Sequence, residues 1–176
     1  MRIALSGPPG SGKTTVGEII AKRLSLKFIP ASQIFREMAK EQGMPIEQFN
    51  KFCETDKAFD KKMDASQKKY MLQDNVVIDS RLSAHFITNA DFKVHIRADL
   101  KERARRVAGR DKMPPAEAEK KITAREASER ARYTEYYGID ITDLSIYDIV
   151  LNSTKWTADE VADIIVTAIR QKEVKK

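Results

Sequence analysis

One cysteine, two histidines and one tryptophan in 176 residues leave little room for several kinds of chemistry. Cys53 has no second thiol with which to close a disulfide, and no CxxC or metal-ligand spacing surrounds it, so it reads as a buried thiol. His85 lies among apolar residues and His95 inside an apolar run, so both read as packing residues rather than as acids or bases. No apolar stretch approaches the roughly 18 residues of a membrane-spanning helix. Met1 leads straight into a short apolar run and then glycines, without the charged and long apolar regions of a secretion signal, so a reducing cytoplasm is the expected compartment and no membrane is involved. Internal repeats, low-complexity stretches and Gly/Ser linkers are also missing. A single domain over residues 1–176 is therefore expected.

With 41% hydrophobic and 33% charged residues, the composition is that of a globular protein able to fold without staples. The formal net charge is +6, and it is unevenly spread: between Lys101 and Arg132, eleven Lys and Arg stand against six Asp and Glu. Such a basic helical region suits a clamp closing on phosphates, and it would also suit RNA.

Five short apolar runs, at residues 3–5, 26–29, 76–78, 92–96 and 149–151, read as buried parallel strands. Helical patterns separate them. Val16, Ile19, Ile20 and Leu24 fall on one face after Thr14; Ser32 is a candidate cap for a helix carrying Ile34, Phe35 and Met38, stopped by Gly43 and Pro45. Thr157 and Glu160 form a capping-box pattern ahead of Val161, Ile164, Ile165, Ala168 and Ile169. The class is α/β, a five-stranded parallel sheet flanked by helices on both faces. Residues 59–73 and 111–137 are helical but poor in apolar residues, as expected of flaps that close over a ligand.

Gly7-Pro8-Pro9-Gly10-Ser11-Gly12-Lys13-Thr14-Thr15 fits GxxxxGK[ST] without a mismatch, between an apolar strand and a helix. Its glycines let main-chain N–H groups curl around phosphate oxygens, and the helix that follows adds its N-terminal dipole. Lys13 is placed to neutralise the β- and γ-phosphates of ATP, and the Thr14 hydroxyl to ligate Mg²⁺. A second Mg²⁺ partner, acting through water, is expected from Asp79 at the end of the run Val76-Val77-Ile78. Two residues on, Arg81 points to the crevice at the carboxyl ends of the strands, where open α/β sheets bind ligands. Arg125, Arg130 and Arg132 form a further cluster, with Arg125 and Arg132 seven apart on one helix face. Asp60, Asp64 and Gln67 share another face at spacings of four and three.

With these residues in place the chain resembles the nucleoside monophosphate kinases, and among them the archaeal-type cytidylate kinases. The resemblance runs nearly the full length. It is carried by the phosphate loop, Ile34-Phe35-Arg36-Glu37, the segments 60–67 and 125–132, and Tyr136-Tyr137-Gly138-Ile139-Asp140 continuing to Leu144-Ser145-Ile146-Tyr147-Asp148. It implies an adenylate-kinase-like fold with a core of about residues 1–31, 75–110 and 138–176, a mobile monophosphate-binding region at about 32–74 and a lid at about 111–137. It further implies that Arg36 and Arg81 hold the acceptor phosphate, that Arg125 and Arg132 belong to the lid, and that Glu129, with Asp60 and Asp64, helps hold the acceptor. Pro30-Ala31-Ser32-Gln33 and Ser80 depart from the family's usual acceptor turn and glycine, while the arginines are intact.

The reaction implied is in-line transfer of the γ-phosphoryl group of ATP to CMP or dCMP. A phosphate acceptor is already anionic, so no general base is needed, and positioning by Lys13, Mg²⁺, Arg81, Arg125 and Arg132 carries the rate. A monomer is expected. Adenylate kinase and a small-molecule hydroxyl kinase, the latter with Asp79 or Asp60 as base, are the enzyme alternatives. A nucleotide-dependent ATPase acting on RNA or a ribosomal particle is the alternative of another class. The basic segment has no aromatic stacking pattern before Tyr133, Tyr136 and Tyr137, and an NKxD guanine motif is missing, which disfavours nucleic acid and a GTPase switch.

Overall fold

The computed structural model describes residues 1–45, 48–49, 61, 65 and 73–173. Expectations for Cys53, Asp60, Asp64 and Gln67 lie outside these residues. Strands β1 (Arg2–Ser6), β2 (Lys27–Pro30), β3 (Val76–Asp79), β4 (Phe92–Arg97) and β5 (Ile149–Asn152) form one parallel sheet in the order β2-β3-β1-β4-β5. Between them run helices α1 (Lys13–Arg23), α2 (Ala31–Glu41), α3 (Ser83–Phe86), α4 (Leu100–Asp111) and α5 (Pro115–Tyr137), and α6 (Ala158–Glu173) follows β5. No helix among the described residues is long and apolar enough to cross a membrane.

Each strand begins or ends within one residue of its apolar run; β1, β3 and β4 are buried along most of their length, as strands covered on both faces are, while the edge strand β5 leaves Val150 exposed. Ile3 and Leu5 of β1, with Val77, Val94 and Ile96, face α1 and α6 and pack on Val16, Ile20, Val161, Ile165 and Ile169. Ala4, Ile29 and Ile78 face the other way, toward Met38, Ala84 and Ile87. Each fully buried Ile or Leu here contributes about 1.5–3 kcal/mol, which is how five strands of four to six residues hold together.

Two helix starts test the capping expectations. At α6, Glu160 N donates to Thr157 Oγ1 at 3.3 Å and Thr157 N to Glu160 Oε2 at 2.8 Å, the reciprocal pair expected. At α2 the expected cap is displaced: the helix begins at Ala31 with Pro30 in the N-cap position and no side-chain cap, leaving Ser32 inside the first turn. Pro30 needs no N–H partner, and its fixed φ ends the strand and admits the helix at once.

The order of strands positions the site. β1 lies between β3 and β4, so Leu5 pairs with Asp79 on one side and Ser6 with His95 on the other. The connections leave β1 and β3 in opposite directions across the sheet, opening a crevice at the carboxyl ends of those strands.

Candidate active site

The phosphate loop leaves β1 at Gly7 and enters α1 through Gly12, whose φ of 87° makes it a left-handed N-cap that a side chain would strain. Gly10, at φ +79°, lies so close to α4 that a Cβ there would meet the Arg103 carbonyl oxygen at 2.8 Å. Ser11 N donates to Pro8 O at 3.2 Å and Val16 N to Gly12 O at 3.0 Å, so the loop closes on itself directly into the helix. Lys13 Nζ reaches back to Pro8 O at 3.5 Å. Burial holds the Lys13 ammonium below the usual lysine range; Asp79 and Glu129 pull it up and Arg81 and Arg125 push it down. The charged neighbours of Lys13 are therefore Asp79 and Arg81 at and just beyond the end of β3, Arg125 of the basic helix, and Glu129, which the resemblance had named.

At the end of β3, Asp79 is 3% exposed. Its Oδ2 accepts a hydrogen bond from Thr14 Oγ1 at 2.7 Å, and its Oδ1 is buried without a hydrogen-bond partner. A buried carboxylate oxygen in that condition is unusual, and beside a threonine hydroxyl it fits a hydrated divalent cation. Magnesium typically keeps several waters and takes one or two protein oxygens along with phosphates. Among the described residues there is no cluster of three or more His, Cys, Asp or Glu that could cage a metal by itself.

Arg81 and Arg125 meet on Glu129. Arg81 Nε donates to Glu129 Oε2 and Arg125 Nε to Glu129 Oε1, both at 2.7 Å. The Glu129 side chain is 4% exposed, that of Arg81 14% and that of Arg125 63%. Burial alone would raise the Glu129 carboxyl, but the two guanidinium groups outweigh it and hold the group below the ordinary value of 4.5. Glu129 is thus an arginine holder with both oxygens engaged. Lys13, Arg81 and Arg125 against Asp79 and Glu129 leave this centre net positive, as a polyphosphate site requires. Arg132, about two turns beyond Arg125, donates from Nη1 to Ser128 Oγ at 2.5 Å. Arg36 is exposed on α2, and Thr15 is exposed on α1.

His95 sits one strand from the loop, edge-on to Tyr147 with ring centroids 4.9 Å apart. Burial first, then Arg81, Arg97 and Lys13, lower its pKa from 6.5 to about 4. The folded protein therefore keeps it neutral, in line with packing rather than base work. Because the unfolded chain takes up this proton near 6.5 and the folded chain only near 4, the contribution to stability is full above the higher value and lost on acidification through the lower. His95→Phe should flatten the dependence of the urea midpoint on pH across that window; parallel slopes for variant and parent would refute this.

Sequence reasoning passed over a second group of residues. Arg106 Nη2 donates to Ser153 O at 2.8 Å and its Nη1 to Ser11 O at 3.2 Å, while Ser153 Oγ donates to Ser11 O at 2.8 Å. These contacts tie the phosphate loop to α4 and to the turn after β5. Next to them opens a cavity of about 550 Å³ lined by Gly12, Thr15, Arg106, Ser153 and Trp156 among others. It lies on the far side of the loop from Asp79 and Arg81 and is large enough for a nucleoside. Only the local excess of arginine hinted at it.

Comparison with known proteins agrees with this geometry. A family model described as the cytidylate kinase-like family matches residues 2–155. A cytidylate kinase of Sulfolobus acidocaldarius is 43% identical over 176 residues, covering 99% of this chain and 97% of that protein. A cytidylate kinase of Pyrococcus horikoshii is 44% identical over 167 residues, covering 95% and 87%. Among solved structures, a shikimate kinase from Acinetobacter baumannii in complex with shikimate superposes with a TM-score of 0.68 at 19% identity, covering 97% of this chain and 93% of that one, a likeness of fold. With a P-loop, two arginines paired on one buried carboxylate and a family match across most of its length, the chain belongs to the cytidylate kinase-like family.

Proposed function

We propose that the chain phosphorylates CMP, and also dCMP, by direct in-line transfer of the γ-phosphoryl group of ATP in the presence of Mg²⁺. The observation that carries this reading is the Arg81–Glu129–Arg125 group beside Lys13. Two guanidinium groups held on one buried carboxylate present planar donors to phosphates approaching from opposite sides. The loop amides and Lys13 hold the β- and γ-phosphates of ATP, and the base occupies the cavity beside Arg106 and Trp156. Arg36 and Arg81 take the acceptor phosphate, and Arg125 with Arg132 neutralises charge on the moving group. Thr14 and, through water, Asp79 would hold Mg²⁺, which would supply positive charge to neutralise the phosphates. Glu129 acts on the acceptor through its arginines, and Asp60 and Asp64 remain candidates for contacts with the nucleoside. Residues 111–137 serve as the lid and 32–74 as the acceptor region of a cytoplasmic monomer.

One coupled assay of ADP formation from ATP and Mg²⁺ tests the reading, with CMP, dCMP, UMP, AMP, GMP or no acceptor. Turnover dependent on CMP and dCMP is expected. Preference for AMP would move the chain to the adenylate kinase reading, and acceptor-independent hydrolysis stimulated by RNA would refute the kinase reading altogether.

A further inference from the structure

The inward stripe of α5 changes character along its length. Ala118 and Ile122 pack on Ala104, Val107 and Ala108 of α4. At the next turns the stripe continues as Glu126 and Glu129, and each meets an arginine of the core. Glu129 takes Arg81, as above. Glu126 takes Arg103, with Nη1 to Oε1 at 2.8 Å and Nη2 to Oε2 at 3.3 Å.

Arg103 is 7% exposed, and its remaining donors are spent on the core: Nε on Ala98 O at 3.0 Å and Nη1 also on Pro9 O at 3.2 Å. Pro9 is in the phosphate loop, and the backbone of Arg103 is what Gly10 packs against. Burying a guanidinium carries a desolvation cost that good pairing only offsets. Here one buried cation grips the phosphate loop with one edge and α5 with another, and its α5 partner is the residue next to Arg125.

We infer that Arg103 and Glu126 form a latch that sets the register of α5 on the phosphate loop and so holds Arg125 over the transferring phosphoryl group. Both are positioning residues; the inference rests on the reading that Arg125 acts on that group. α5 is pinned at two carboxylates less than a turn apart, both within the four residues after Arg125, so neither rotation nor sliding of the helix is free there. Loss of one pin leaves the fold and the ATP site in place and lets Arg125 wander.

Glu126→Gln keeps an acceptor for Arg103 but removes the ion pair, and its side chain is 29% exposed, so the variant should fold. Because displacement of a reacting group by about 1 Å costs about a hundredfold, a fall in kcat of about ten- to a hundredfold is expected, with little change in KM for ATP or CMP. The same substitution in an Arg125→Ala background should cost nothing more. An unchanged kcat for Glu126→Gln, or a loss that persists in the double variant, overturns the latch. If Arg125→Ala alone leaves kcat intact, the reading of Arg125 falls and the latch with it; a large loss for Arg125→Ala beside an additive or absent effect of Glu126→Gln removes the latch alone. Arg103→Lys, which keeps the charge but loses the fork, should reproduce the result in the same cycle, and it decides the matter if Glu126→Gln melts below the assay temperature.

Discussion

Arg125→Ala lowers kcat by about a thousandfold or more and leaves the KM for ATP nearly unchanged. The asymmetry follows from where each group acts. In the proposed reading ATP is held by main-chain donors of the loop and by Lys13, which lie outside α5. Among the described residues Arg125 is joined to the centre through Nε, at 2.7 Å from Glu129, and 63% of its side chain is exposed, so its guanidinium remains open to an incoming phosphoryl group. A cation in that place interacts most strongly where charge is redistributed during transfer, which is the condition for an effect on kcat rather than on ground-state binding. Arg125→Lys should recover only a small part, since an ammonium lacks the planar fork. Steady-state kinetics with ATP and CMP varied in turn provides the measurement. An unchanged kcat, or a loss confined to the KM for ATP, would remove Arg125 from the chemistry.

Glu129→Ala destabilises the folded chain by about 3 kcal/mol at neutral pH and also weakens acceptor binding. The stability loss comes from Arg81, whose side chain is 14% exposed and would be left without its carboxylate, more than from the exposed Arg125. The sign of the pH dependence is fixed by the direction of the Glu129 shift. Its folded pKa lies below the ordinary 4.5, so its contribution is present above that value and lost as the pH falls through the lower folded one. The gap in denaturation free energy between parent and Glu129→Ala should therefore be widest at neutral pH and narrow once the medium is more acidic than the unfolded carboxyl. Glu129→Gln, which keeps two polar atoms in place, should lose less. Urea denaturation of parent and variants at pH 7 and in mild acid tests this. A gap that stays constant would show that the pair contributes nothing electrostatic.

How much of this was legible beforehand depends on whether the determinants are local. The phosphate loop and five strands were, because a buried parallel strand is a short apolar run and GxxxxGK[ST] carries its own geometry. Ser32 misled because a hydroxyl near a helix start is only a statistical cue, and Pro30 two residues earlier already set the entry. Glu129 came from resemblance as an acceptor ligand, and the structure fills both its oxygens with arginines, one of them 48 residues away in sequence. Arg103 and Arg106 were visible only as part of a charge excess. That one braces Pro9 and the other Ser153 is a matter of contacts 94 and 47 residues apart, which neither periodicity nor composition encodes.

The central place of β1 also has a consequence for how the protein is made. The strand leaves the ribosome before the other four, yet its neighbours in the sheet begin at Val76 and Phe92, and its loop is tied down by Ser153, 142 residues beyond Ser11. At roughly 5–20 residues per second of synthesis, β1 waits several seconds for a partner, and parallel pairing over such separations is slow in any case. The feature most obvious in the sequence is thus among the last to be completed in the molecule. A nascent chain halted before β5 carries the whole phosphate-binding motif without the contact that closes it.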